Sequence, residues 1–152
     1  MVIAIVALLS SIILASLGAS RAKSRDAAVK SDLVSLRTQA ALYYANNSNA
    51  YGTRATNYGP IGCPNPGDAL WGIFTLFTDS KINSILQATG KTSGVAGADA
   101  TVLNCAYAAN GVSYAVYAPL STSPVTWWCV DSTGASRNIG TDVGIGIYIC
   151  PP

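Results

Sequence analysis

The sequence predicts an α+β fold: a long N-terminal helix, apolar in its first half and amphipathic in its second, packed on a C-terminal antiparallel β-sheet. Three observations predict it. Residues 1–20 carry no charge, and the nine Lys and Arg and seven Asp of the 152-residue chain all lie beyond them. Helical periodicity then continues without proline or Asn-Gly punctuation as far as the polar run Asn46-Asn47-Ser48-Asn49. After residue 111 the chain becomes rich in β-branched and aromatic residues interrupted by turn signals.

Composition narrows the class of function. Charged residues make up 11% of the chain, against roughly 25% in an ordinary globular protein. There is no histidine and no glutamate, so Ser-His-Asp, Cys-His and His-Glu-x-x-His chemistry is excluded. A hydrophobic fraction of 50% and a mean hydropathy of +0.35 suit a membrane-attached or assembling protein and exclude disorder. No catalytic, metal or cofactor set is expected.

The first element is the uncharged run. At the rise of an α-helix, Met1 to Ser20 reaches about 30 Å, the thickness of a bilayer's hydrocarbon core. Ser10, Ser11, Ser16 and Ser20 are tolerated there, because a hydroxyl can bond back to a carbonyl one turn earlier. The run reads as a cleaved signal, a plain anchor or a helix that packs on copies of itself. It lacks a basic n-region and is long for a signal's apolar core, so it is expected to remain in the mature protein.

The second half of the helix opens with Arg21, Lys23, Arg25 and Asp26. Val29, Leu33, Leu36, Ala40 and Tyr43 or Tyr44 then form one apolar stripe, with Lys30, Asp32, Arg37 and Gln39 off it. The short polar side chains of Asn46 to Asn49 compete for backbone hydrogen bonds and stop the helix. Residues 1–22 are thus expected to form an apolar half-helix, and residues 23–152 a globular domain that includes the amphipathic half.

The interval from Tyr51 to Asn104 is rich in Gly and Pro and reads as looser. Within it Asp79 or Ser80 can cap a short helix through Ile82, Ile85 and Leu86 to a stop at Gly90. Strands are expected at Val112 to Ala118 and Val125 to Val130, with Pro119 and Pro124 bracketing their link. The turn Asp131-Ser132-Thr133-Gly134 leads to further strands around Ala135 to Ile139 and Val143 to Cys150.

Cys63, Cys105, Cys129 and Cys150 contain no Cys-x-x-Cys pair, which argues against zinc. An even number after a membrane-length run fits disulfides in an oxidising compartment. Three pairings are possible; Cys63 with Cys105 and Cys129 with Cys150 is favoured, because each ties a loop or tail back to a neighbouring strand.

The apolar Met1-Val-Ile-Ala-Ile-Val-Ala-Leu-Leu run, Ala22-Lys-Ser-Arg-Asp-Ala-Ala, a helix ending in Tyr43-Tyr44, and a late Trp128-Cys-Val-Asp-Ser-Thr-Gly resemble a bacterial type IV pilin. The resemblance is strong over residues 1–55, moderate over 111–150, and falls on a variable region in 56–104. It implies a non-enzymatic structural subunit: the N-terminal half-helix lies in the inner membrane before assembly and then forms the core of an extracellular homopolymeric filament on the cell surface, with a four-stranded sheet packed on the second half-helix. Met1, Ile3, Ile5, Ala7, Leu8, Ile12, Ile13, Ala15 and Leu17 would then form the filament core. A leader peptidase and a pilus assembly machinery with its ATPase are the implied partners.

Two departures qualify the resemblance. Family members open, after leader removal, with a Phe-Thr-Leu-Ile-Glu-Leu type stretch. In that family the glutamate pairs with a neighbour's terminal amine; here Met1 opens the run without a glutamate, so either residues precede it or the protein assembles without that pair. Many pilins also carry a proline where the core helix loosens. The nearest substitute is Gly18, which weakens a helix by roughly 1 kcal/mol relative to alanine, and loosening is expected there, between Ser16 and Ser20.

Other motifs read as ordinary structure. Gly90-Lys91-Thr92 resembles the end of a P-loop, but Ile85 stands where its first glycine is required. Asp131 to Asp142 has the length of a calcium loop without its alternating ligands. Asn46-Asn47-Ser48 is a glycosylation sequon and a helix end. The basic group Arg21 to Arg37 reads as a solvated or subunit-facing surface in preference to a nucleic-acid or lipid contact. Residues 21–54 carry six basic side chains and two aspartates, net +4; residues 55–152 carry three and five, net −2. Opposed charges suit head-to-tail assembly into an open helical filament. The positive-inside rule alone would place the body in the cytoplasm; the cysteines place it outside. A minor pilin or type II secretion pseudopilin is the nearest alternative, and a monomeric membrane-anchored binding domain is the alternative of another class.

Overall fold

The computed structural model describes residues 2–52, 58–68, 75–95, 99–140 and 147–152, with side chains from residue 17 onward except at 58, 60, 110 and 124. A single helix, α1 (Val2–Asn46), packs on a five-stranded antiparallel sheet of β1 (Tyr58–Gly62), β2 (Asn104–Tyr107), β3 (Tyr114–Leu120), β4 (Ser123–Asp131) and β5 (Ser136–Ile139), ordered as in the sequence. A second helix, α2 (Ser80–Ser93), lies beside α1. The expected α+β arrangement is therefore present, with one strand more than the resemblance implies.

The apolar stripe of α1 is its buried face. Val29, Leu33, Leu36 and Ala40 are fully buried against Leu76, Phe77, Ile82, Leu86, Tyr114 and Val116, with Tyr43 and Tyr44 packed at the margin. A file of rings runs from Tyr44 to Tyr51 to Tyr114 at centroid spacings of 4.7 Å each. The opposite face of the sheet has a smaller core, in which Ala106, Ala115, Tyr117, Cys129 and Ile139 are covered by Ile147, Tyr148 and Cys150 of the C-terminal tail.

Both disulfides have the favoured pairing. Cys63 joins Cys105 beside the β1–β2 pair, and Cys129 on β4 joins Cys150. The second bond closes a separation of 21 residues, for which the chain-entropy model gives about 3 kcal/mol. The Tyr117 hydroxyl donates to the Ile147 carbonyl (3.0 Å) and the Cys150 N–H to Asp131 Oδ2 (2.6 Å), so the tail is held at three points.

Several expectations are corrected. α1 runs without interruption through Gly18, so the loosening expected there is absent. One glycine costs roughly 1 kcal/mol, too little to break a ladder with many helical turns on either side, whose re-nucleation is costly. α2 does not stop at Gly90. It continues to Ser93 and ends at Gly94, whose φ of 71° supplies the left-handed cap. Asp79, rather than Ser80, caps its start, accepting from the Lys81 and Ile82 N–H groups at 3.0 and 3.2 Å.

Pro119 and Pro124 do not bracket the hairpin link. Both lie within strands, and the link is Ser121-Thr122 alone. β2 pairs with β3 only as far as Tyr117, so Pro119 faces no β2 partner that would require its missing N–H. β3 begins at Tyr114, and Val112 is exposed. Residues 147–150 form no strand, and the rest of the strand expected at Val143 to Cys150 lies outside the described residues. β1 arises in the interval that reads as loose, where Gly59 and Pro60 mask it, and β2 begins where that interval ends.

Candidate functional site

The end of the molecule where α1 emerges from the head is built by three elements. Burial along α1 begins at Asp26; before it, Leu17 to Arg25 are exposed except for a partly covered Ala22. Asp26 itself is buried on the apolar stripe, three residues ahead of Val29. Its carboxylate accepts from the Ser121 N–H (2.6 Å), the Thr122 N–H (3.2 Å) and the Thr122 hydroxyl, and so clamps the β3–β4 turn to the helix. A carboxylate on an otherwise apolar stripe is the signal that sequence reading could have used.

Two further polar residues on the same flank complete the attachment. Lys30 Nζ lies 4.5 Å from the Trp128 ring centroid on β4, a cation–π contact. The Arg37 guanidinium donates to the Gly134 carbonyl (2.6 Å) and to Ser136 Oγ (3.2 Å) across the β4–β5 turn. Positions 26, 30 and 37 are one and then two turns apart and so share a face. Lys30 and Arg37, expected only to lie off the stripe, fasten α1 to the sheet.

α2 closes the same end. Its C-terminal Ser93 carbonyl accepts from the Ser121 hydroxyl (2.6 Å), and Gly94 lies under Arg25, where a Cβ would come within 2.7 Å of the guanidinium. Between these elements is a groove of about 740 Å³, lined on α1 by Gly18, Arg21, Ala22 and Arg25 and across from it by Val95, Val102, Leu120 and Trp127. Gly18, expected as a point of weakness, is instead part of the groove wall.

The remaining sequence-marked residues are dispersed. Leu17 is 44% exposed. Met1 lies outside the described residues, as do the side chains of Ile3, Ile5, Ala7, Leu8, Ile12, Ile13 and Ala15, so nothing here places the expected filament core. Among the described residues no helix is long and apolar enough to cross a membrane, and no cluster of His, Cys, Asp or Glu could hold a metal ion. Gly90-Lys91-Thr92 is helical rather than a phosphate loop. Asp131 heads the β4–β5 turn, its Oδ1 accepting from the Thr133 N–H, the Thr133 hydroxyl and the Ala135 N–H. In the sequon the Asn47 side chain donates to the Tyr43 carbonyl and closes the end of α1.

Burial raises the pKa of the Tyr114 and Tyr117 hydroxyls well above the usual value, with smaller contributions from Tyr51 and Asp131 at Tyr114 and from Asp131 at Tyr117. Both hydroxyls therefore stay protonated through the neutral range. Comparison with protein-family models, with curated proteins and with solved structures finds no match.

Proposed function

We propose that this protein is a non-enzymatic structural subunit of a type IV pilin-like filament: anchored in the inner membrane by its N-terminal half-helix, then polymerised with that helix in the filament core. The supporting observation is the division of α1. The helix is continuous from Val2 to Asn46; among the described side chains Leu17 to Arg25 are exposed except for a partly covered Ala22, burial begins at Asp26, and the uncharged run of the sequence precedes that boundary. An uncharged helical run of this length calls for an apolar environment, either lipid or copies of itself. The opposed net charges of residues 21–54 and 55–152, +4 and −2, add an attraction suited to a head-to-tail contact between copies.

Electron microscopy of sheared surface material is the direct test, and filaments are expected. Packing is tested by Ala7→Trp and Ala15→Trp, which add bulk with little loss of lipid affinity. Both variants are expected to abolish filaments while membrane retention stays unchanged. Normal filament yield from both would replace this reading with that of a single anchored domain.

A further inference from the structure

The groove at the base of the head continues the core stripe of α1 without filling it. Stepping back from Val29 and Asp26 at helical spacing reaches Ala22 and Gly18, a methyl group and a bare Cα that leave the space facing Leu120 and Val102 open. Arg21 and Arg25 stand one turn apart on this wall. Among the described residues neither forms an ion pair, and the adjacent carboxylate of Asp26 is committed to the Ser121-Thr122 turn. The groove therefore has two arginines on its α1 wall and apolar residues on the wall across from it.

We infer that this groove binds one anionic phospholipid, its phosphate between Arg21 and Arg25 and its glycerol and upper acyl chain against Val95, Val102, Leu120 and Trp127. The inference rests on the membrane-anchored stage of the function proposed above. With Met1–Ser20 spanning a hydrocarbon core of about 30 Å, Arg21 to Arg25 falls at the headgroup level, where tryptophan also concentrates. A guanidinium matches a phosphate through paired N–H donors. A cavity of about 740 Å³ lies within the range of small-ligand sites. A free inorganic anion would use only the two arginines. The uncharged run of a second copy has the apolar character but offers no carboxylate to the two arginines.

The test uses the full chain in phosphatidylcholine nanodiscs containing a minority of phosphatidylglycerol. After detergent extraction, native mass spectrometry is expected to show one phosphatidylglycerol retained per subunit and no phosphatidylcholine. Arg21→Gln with Arg25→Gln should reduce that retention at least tenfold, whereas Lys23→Gln, an exposed basic residue of α1 that does not line the groove, should leave it unchanged. A photoreactive residue at Val95 should crosslink to lipid. Equal retention of both lipids, equal loss in the Lys23 variant, displacement by inorganic phosphate, or crosslinking to a second copy instead of lipid would each overturn the assignment. Filament yield is scored in parallel: filaments without retained lipid overturn the groove alone, whereas retained lipid without filaments overturns the filament reading and leaves the groove standing.

Discussion

Replacing Asp26 by alanine removes the acceptor for three donors of the Ser121-Thr122 turn. A hydrogen bond to a charged group is worth about 1.5–3 kcal/mol, and water can partly resatisfy a turn at the surface. A loss of about 2 kcal/mol is expected, read as a lowered denaturation midpoint of the full chain in detergent; an unchanged midpoint would show that the clamp carries no stability. Tyr114 and Tyr117 give a pH signature. Their folded pKa values are raised by burial, whereas the unfolded chain ionises near pH 10. The folded state therefore holds more protons in that window. The stabilising contribution is complete below about pH 10 and is lost as pH rises through the folded values. Tyrosinate absorbance from these two residues should appear only together with unfolding; full tyrosine ionisation in an intact fold would contradict their burial.

At the scale of elements, α1 and α2 use glycine for different ends. Gly90 lies within α2, where a Cβ would come within 1.9 Å of the Asp99 carbonyl oxygen. Gly90→Ala gains about 1 kcal/mol of helix propensity but forces a backbone shift whose cost is typically 1–3 kcal/mol. A net destabilisation of about 1 kcal/mol is expected. At Gly18 nothing lies within 4 Å of such a Cβ, so Gly18→Ala should be neutral or stabilising. Paired denaturation curves measure both, and reversal of the order would mean that the approach of α2 to residue 99 is not a constraint. The sequence marks both glycines as helix weaknesses because propensity is a local property, whereas the carbonyl that Gly90 admits belongs to a segment nine residues further along the chain.

For the whole molecule, the decisive division is between the uncharged first half of α1 and the head. Removing residues 1–22 deletes the uncharged run, while Val29, Leu33, Leu36 and Ala40 stay buried. The truncated chain is expected to sediment as a soluble monomer, because the uncharged run is gone and the apolar stripe of α1 stays covered. Persistent large oligomers would assign assembly to the head. Beyond that boundary Asp26 and Arg37 tie the second half of the helix to the β3–β4 and β4–β5 turns, and Lys30 ties it to Trp128 on β4.

The sequence by itself determined the long helix, its buried stripe, the capped start of α2, the β4–β5 turn at Asp131 and the favoured cysteine pairing, because each is written in local periodicity, short-range hydrogen bonding or a small set of pairings. Tertiary structure decided the rest. The β3–β4 hairpin turns on Ser121-Thr122, which lacks the Asn-Gly type signature; its N–H groups are satisfied by Asp26, some 95 residues earlier. β1 and β2 are held by pairing with a sheet assembled later in the chain and by the Cys63–Cys105 bond. The groove exists because segments distant in sequence bring Val95, Val102, Leu120 and Trp127 opposite the small residues and two arginines of α1. Contacts of that range cost chain entropy to close and leave no mark in a local window, so only the folded chain reveals them.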